Sequence, residues 1–264
     1  MVYVLLNETS QIDSSPRYTM PLISIISVVK DDFKALSHTR VGVLSGFTDN
    51  IEWIIVDGTP DRRQVELIVG DVSFPVKIIS EPDKGPYDAM NKGTAMASGE
   101  WLLYTNAGDR AYITTKLLEY ISAAPADVGV VYADTLYAYK NRVKLKKVQA
   151  ADDFRSGMPF CHQSVLFSGK LKSELVYNTA YKYAADYDLL LSLKNKSVPM
   201  AYYPSFIAEV DPYGISNRHQ FAVTREQYGI AKKRGFKGGL FYLTMAKRFL
   251  LAGLADFMHV ILGV

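Results

Sequence analysis

The sequence predicts an α/β fold: a mostly parallel central sheet covered by helices, followed by a C-terminal helical extension. Two observations carry that expectation. From Leu22 to Asp109, short apolar runs rich in Val and Ile alternate with helical stretches, and such near-continuous runs belong to parallel strands buried on both faces. After the third run comes a charged loop and helix start, Ser80-Glu81-Pro82-Asp83-Lys84-Gly85-Pro86-Tyr87-Asp88, and after the fourth comes Asn106-Ala107-Gly108-Asp109. Open α/β sheets collect their ligands at such carboxyl ends.

In order, strands are expected at Leu22–Val29, Ile51–Asp57, Val76–Ser80 and Trp101–Thr105, with helices at Asp32–Leu44, Asp61–Val69 and Pro86–Ser98. Pro86 suits a first helical position, where its missing N–H costs nothing. Asp88 falls in the first turn, where the helix dipole favours an acid, and Ser98-Gly99 reads as the helix end. Beyond Asp109 the rhythm becomes mixed, with a helix near Thr114–Ala123, a strand at Val128–Tyr132 and a hairpin turning at Lys140-Asn141. Its second arm carries Lys140, Arg142, Lys144, Lys146 and Lys147, and the alternation of the first four places them on one solvated face. A charged edge strand guards against aggregation; contact with an acceptor or lipid phosphate is the other reading.

Gln220–Arg234 reads as a helix broken by Gly235-Phe236-Lys237-Gly238-Gly239. Leu240–Val264 is then apolar, interrupted by Lys247, Arg248, Asp256 and His259. Its uncharged stretches are too short for a comfortable membrane span. Lys232, Lys233, Arg234, Lys237, Lys247 and Arg248, beside apolar side chains from Phe241 to Ile261, suit a helix lying in an anionic membrane surface; a dimer interface or a helix closing the core is the alternative. These divisions give an extension over 1–19, a main domain over 20–222 and a helical, membrane-associating segment over 223–264.

Bulk properties bound the partners. A formal charge of +3 over 264 residues is too small to argue for nucleic acid. The single cysteine, Cys161, excludes an intramolecular disulfide and fits a reducing compartment. The opening Met1-Val-Tyr-Val-Leu-Leu6 lacks a basic region and a long apolar run, so a cytoplasmic location is expected. No G-x-G-x-x-G follows the first strand, which disfavours a dehydrogenase.

The loop and helix from Ser80 to Gly93 make a nucleotide-and-metal arrangement with Asp109. The same segment resembles bacterial family 2 glycosyltransferases of the GT-A fold, especially the branch of colanic-acid and related surface-polysaccharide clusters. Glu52-Trp-Ile-Ile-Val-Asp57-Gly58-Thr59, Cys161-His162-Gln163-Ser164 and Tyr181-Lys-Tyr-Ala-Ala-Asp186-Tyr187-Asp188-Leu189 match in the same order, and Pro212-Tyr-Gly214-Ile-Ser216 more weakly.

The resemblance implies a Rossmann-like GT-A domain transferring a sugar from a nucleoside-diphosphate donor, with inversion, to a lipid-linked glycan acceptor at the inner face of the bacterial cytoplasmic membrane. Asp109 is the candidate ligand for a divalent Mn2+ or Mg2+, since a hard cation bridging phosphate oxygens needs a carboxylate. Asn106 stands where many relatives carry the first acid of a DxD pair, so His162 is considered as a further ligand. Asp186 is the implied general base, although Ala185 replaces the Glu of the usual acidic pair; Asp188 suits the helix start. Asp57 is implied to accept from the base or ribose. Lys84 and the helix start at Pro86 meet the diphosphate, Asp83 or Asp88 contacts ribose or sugar, and Asn91, His162 and Gln163 are further donor contacts. Gly214–Ser216 is expected to form a mobile loop over the donor. Two rivals remain: a catalytically silent sugar-nucleotide or membrane scaffold that has lost acids at Asn106 and Ala185, and a sugar nucleotidyltransferase, which would normally show a glycine-rich loop where Val28-Val29-Lys30-Asp31-Asp32 stands.

Overall fold

The computed structural model describes residues 23–46, 49–148 and 153–262; the expected N-terminal extension and the start of the main domain lie outside them. Strand β1 (Ile23–Val29) pairs in parallel with β2 (Ile51–Asp57) and β4 (Trp101–Asn106), and β2 with β3 (Val76–Ser80). Between them run α1 (Phe33–Ser45), α2 (Arg63–Val69) and α3 (Pro86–Met96). The register aligns Val29 with Asp57 and Asp57 with Ser80, so the loops after β1, β2 and β3 open side by side.

The period of two decides which side chains meet which helices. Ile26, Val28, Ile54 and Val56 share one cluster with Met90 of α3, whereas Ile23, Ile25, Ile55 and Val29 pack with Leu36, Val43, Val65 and Val69 of α1 and α2. Asp32 caps α1 by accepting from the Ala35 N–H at 3.0 Å, and Pro86 starts α3, as expected of these residue types.

The second half adds β5 (Arg110–Ala111), α4 (Thr115–Ala123), β6 (Val130–Tyr139), β7 (Arg142–Lys146), β8 (Val165–Ser168), α5 (Ala185–Asn195) and β9 (Met200–Val210). The strand order is β3-β2-β1-β4-β8-β6-β9-β5, with β7 paired to β6. Here the sheet mixes directions: β8 is antiparallel to β4 and β6, β9 is parallel to β6, and β5 is antiparallel to β9. The expected strand at Val128–Tyr132 proves to be the first part of a strand reaching Tyr139, because β9 continues to support it past two register shifts.

The C-terminal part is α6 (Ile215–Arg218), α7 (Gln220–Lys233) and α8 (Gly239–Leu262). Gly214–Ser216 therefore leads into a helical turn rather than an open loop; Gly214 is its cap residue. The segment from 223 onward is not a separate appendage. Ile230, Ala231, Phe241 and Met245 belong to the same buried cluster as Met90 and Leu190, and Arg234 binds Asp188 of α5 through Nε and Nη2 at 3.0 and 2.8 Å. Yet α8 also exposes Leu240, Leu243, Leu250, Leu254 and Phe257, each more than half accessible. No helix of the described residues is long and apolar enough to cross a membrane.

Two substitutions separate the faces of α8. Phe241→Ala removes a ring that is 1% exposed and should cost on the order of 3–5 kcal/mol, lowering the melting temperature by several degrees. Leu243→Gln, on the exposed side, should leave it within about 2 °C, since surface changes usually fall within about 0.5 kcal/mol. Deleting Leu240–Val264 should expose the core rather than leave a stable soluble domain, which thermal melts of the truncated chain would show.

Candidate active site

The site lies where the carboxyl ends of β1 to β4 meet the loops before α5 and after β9. Gly58 N–H donates to the Val29 carbonyl, Glu81 N–H to the Asp57 carbonyl and Ala107 N–H to the Val28 carbonyl, tying the loops together. At one end Asp57 is fully buried, held by the N–H and hydroxyl of Thr59. Burial raises its carboxyl above the usual range, with Asp31 and Asp83 adding repulsion that the Thr59 hydrogen bonds oppose. Asp31 sits at φ 55, an uncommon conformation for a non-glycine residue. A Cβ on Gly58 would land on the Asp83 carboxylate, so Gly58 permits that carboxylate's approach.

The charged loop after β3 is shaped largely by its own acids. Asp83 accepts from Gly85 N–H at 2.8 Å, and Asp88 accepts from Lys84 N–H at 3.1 Å with Lys92 at 3.6 Å. Gly85 has φ 121, outside the range of L side chains, and this bend aims the start of α3 at the site. Lys84 is exposed there. Asp83 and Asp88 thus both close the loop through its backbone N–H groups. Asn91 is engaged with a neighbouring loop. Its amide donates to the Tyr177 carbonyl and its oxygen accepts from Tyr177 N–H, both at 2.8 Å, fastening α3 to the 177 loop.

Gly108, at φ 99, turns the chain after β4 so that Asp109 is carried inward. Its carboxylate is 5% exposed and accepts from Asn106 N–H at 3.2 Å and Asp211 N–H at 3.3 Å. Burial pushes it up to about 7, the Asp211 charge acting in the same direction against those two hydrogen bonds. Asp211 follows β9, and its Oδ1 accepts from Tyr213 N–H at 2.8 Å. It was not among the residues singled out in the sequence; β9 alone brings it to Asp109, a sequence separation of 102. Two hard carboxylates adjoin here, Asp109 held by two backbone N–H groups and Asp211 by one, and carboxylate oxygens are the donor type a divalent cation takes.

His162 does not extend this pair, because among the described residues no group of three His, Cys, Asp or Glu gathers as a metal site. It is buried in a one-turn 3-10 helix (162–164), with Nε2 at 2.7 Å from the Tyr177 hydroxyl and its ring near Tyr104, Phe167 and Tyr177. Desolvation lowers its pKa to about 4, so it is neutral at physiological pH. Its Nε2 and ring face are engaged within the core. Gln163 accepts from the Cys161 thiol at 2.9 Å.

Burial pushes the Cys161 thiol up to about 11, with the charges of Asp109 and Asp186 acting in the same direction and a Gln163 hydrogen bond and Lys146 opposing them. Such a thiol is an inert wall. Beside it, Tyr137 also hydrogen bonds to Cys161 and lies under Lys146, whose Nζ is 5.4 Å from the ring centre. The alternation expected along the basic arm is present, with Arg142, Lys144 and Lys146 opposite Tyr139, Tyr137 and Thr135, and all of β7 is exposed.

Asp186 occupies the first turn of α5, partly buried, and its Oδ1 accepts from Tyr187 N–H at 2.8 Å and the Tyr87 hydroxyl at 3.3 Å. Burial is the main cause that raises its carboxyl to about 6. It does not cap the chain entering α5: the N–H groups of Lys182, Tyr183 and Ala184 donate to Glu226 of α7 at 2.8–3.0 Å. Asp188 instead pairs with Arg234.

With this geometry, residues 24–186 match the family model described as glycosyl transferase family 2. The chain belongs to that family. It is 25% identical over 204 residues, 74% of this chain and 76% of the relative, to a PGL/p-HBAD biosynthesis glycosyltransferase of Mycobacterium tuberculosis H37Rv. Among solved structures it is similar to the mannosyltransferase PcManGT of Pyrobaculum calidifontis, crystallised with GDP-Man and Mn2+ (TM-score 0.62, 16% identity, covering 97% of this chain and 79% of that one). It also resembles Staphylococcus aureus TarS residues 1–349 in complex with UDP (TM-score 0.58, 14% identity, covering 87% and 70%). The fold is GT-A-like, and the protein is a glycosyltransferase.

Asp109→Asn tests the buried carboxylate directly. Its folded pKa is raised, so the native state holds the proton more tightly, and stability from this group declines as pH rises from about 4 to about 7. Metal-free Asp109→Asn protein should therefore melt higher than wild type at pH 8 and lose that advantage by pH 4. It should also lose the binding of Mn2+ seen by electron paramagnetic resonance in the presence of a nucleoside diphosphate.

Proposed function

We propose that this enzyme is an inverting hexosyltransferase that moves a sugar from a nucleoside-diphosphate sugar to a hydroxyl of a lipid-linked bacterial surface glycan. The observation that carries the reading is a pair of carboxylates with different settings: Asp109 after β4, held by the Asn106 and Asp211 N–H groups, and Asp186 at the start of α5, reached by Tyr87 from the first turn of α3. One carboxylate serves the leaving diphosphate and the other the acceptor, and the order of motifs resembling the colanic-acid branch agrees with that division.

The donor is held by its two ends. Buried Asp57, with Asp31 and Asp83 close by, offers acceptors for base and ribose hydrogen-bond donors. Lys84 and the N-terminus of α3 offer positive potential to the diphosphate. Asp109 and Asp211 would hold a divalent cation, which supplies charge neutralisation for the departing diphosphate. Asp186, with a pKa near 6, is ionised at neutral pH and is a stronger base than an ordinary aspartate. It takes the acceptor hydroxyl proton as that oxygen bonds to the anomeric carbon. The bond from this carbon to the phosphate oxygen breaks on the opposite face, and its electron pair leaves with the diphosphate.

The exposed stripe of α8 and the cations Lys232, Lys233, Lys237 and Lys247 support docking on an anionic membrane surface, where a lipid-linked acceptor is presented. The buried face of α8 keeps that surface attached to the catalytic domain.

Nucleoside diphosphate released from a panel of nucleotide sugars, with acceptor lipid extracts, reads the activity. Asp186→Asn should cost about 10²–10⁴ in transfer rate while nucleotide affinity stays close to wild type; a rate within tenfold removes Asp186 from this role. Replacing Leu243, Leu250, Leu254 and Phe257 together by Gln should abolish co-sedimentation with anionic vesicles at low salt without lowering nucleotide binding. A wild-type chain that never sediments with such vesicles ends the membrane reading.

A further inference from the structure

Tyr87 joins the donor-side helix to the proposed base. It lies in the first turn of α3, two residues beyond Gly85, and its hydroxyl reaches Asp186 Oδ1 at 3.3 Å across 99 residues of sequence. Its ring stacks on Tyr177, with centroids 5.7 Å apart and planes 16° from parallel. The backbone of Tyr177 is in turn clamped by Asn91, one turn further along the same helix. The phenol is thus fixed from two directions by α3 itself, leaving its hydroxyl little freedom to leave the carboxylate.

We propose that Tyr87 is a positioning residue for glycosyl transfer: its hydroxyl holds the Asp186 carboxylate through Oδ1 and keeps it ionised and oriented toward the acceptor. This rests on the reading of Asp186 as the base. The groups that act electrostatically on Asp186 make the need plain. Glu226 of α7 repels its charge, while Cys161 and Tyr177 lie close enough for the carboxylate to raise them. Burial keeps both of these protonated and therefore neutral, so neither adds a further negative charge. Against burial and Glu226 stand the Tyr187 N–H and the Tyr87 hydroxyl. Tyr87 itself is raised well above its ordinary value, by burial first and the Asp186 charge second, so it stays a donor throughout the working pH range.

Tyr87→Phe keeps the ring and its stack and removes only the donor. Losing a hydrogen bond to the charged form raises the carboxyl pKa, so the acidic limb of the kcat/KM profile should move up by about 0.5–1 pH unit. The loss should reach about three- to eightfold near pH 5.5 and shrink nearly to nothing at pH 8, with the donor KM unchanged. 3-Fluorotyrosine placed site-specifically at the same position is a stronger donor of nearly the same shape and should move the limb to lower pH, which keeps the test open if the Phe variant folds poorly. A limb that neither substitution moves, or an equal loss at every pH, overturns the proposal. Selective 13C labelling of aspartate carboxyls, with Asp186 assigned from Asp186→Asn, reads the same shift without turnover. If Asp186→Asn remains active, the base reading fails; if it is inactive and the Asp186 titration ignores Tyr87, the positioning role alone fails.

Discussion

The close seating of α3 on β1 is the constraint on which the site depends. A Cβ on Gly93 would collide with the Ile26 side chain and crowd Val56, so the helix axis is set by a residue with no side chain. At the far end, Lys77 reaches the Met96 carbonyl and the Ser98 hydroxyl, and Ser98 N–H donates to buried Glu52. Burial would raise Glu52, but Lys77, Ser24 and Ser98 outweigh it and hold its carboxyl below the usual range. With its middle and its end thus held, the first turn of α3 projects at a defined height above the sheet. Lys84, Gly85 and Tyr87 inherit that position, and Asn91 passes it on to the 177 loop. A small displacement of this helix would shift the diphosphate cradle and the proposed base together.

The site is a collection of poorly compensated anions. Asp31, Asp57 and Asp83 repel one another at one end, Asp109 and Asp211 at the other, and Asp186 faces Glu226. The raised pKa values of Asp57, Asp109 and Asp186 express energy stored against folding, of the kind active sites carry when function needs groups that stability does not. Hydroxyl and N–H donors of a nucleoside, and a cation at the diphosphate, are the chemistry that relieves it. On the basic arm β7, Lys146 lies over Tyr137 and Arg142 over Tyr139. Because long side chains there remain exposed, they can add positive potential without the cost of burying a charge.

The C-terminal helices serve two surfaces at once. Glu226 of α7 satisfies three backbone N–H groups ahead of α5, which relieves Asp186 of that duty. Phe241 and Met245 close the core while the opposite side of α8 stays apolar and uncovered. Monomeric proteins seldom expose contiguous apolar surface without a partner for it.

The sequence by itself determined the alternating first half, its parallel strands, the helix starts near Asp32, Thr114 and Pro86, and the arrival of Asp57 and Asp109 at strand ends, because period, turn residues and buried β composition are local signals. Asp186 was legible through a motif, and its surroundings were not. Only tertiary structure decided that Asn91 clamps Tyr177, that His162 meets the Tyr177 hydroxyl, that Asp211 joins Asp109 and that Tyr87 meets Asp186. Each of these depends on contacts made across long stretches of chain, and residue type alone cannot distinguish a buried hydrogen bond to backbone from one offered to a ligand. The same limit applied to the last helix: its composition announced an apolar surface with cations, but which half would be covered was set by the shape of the core it closes.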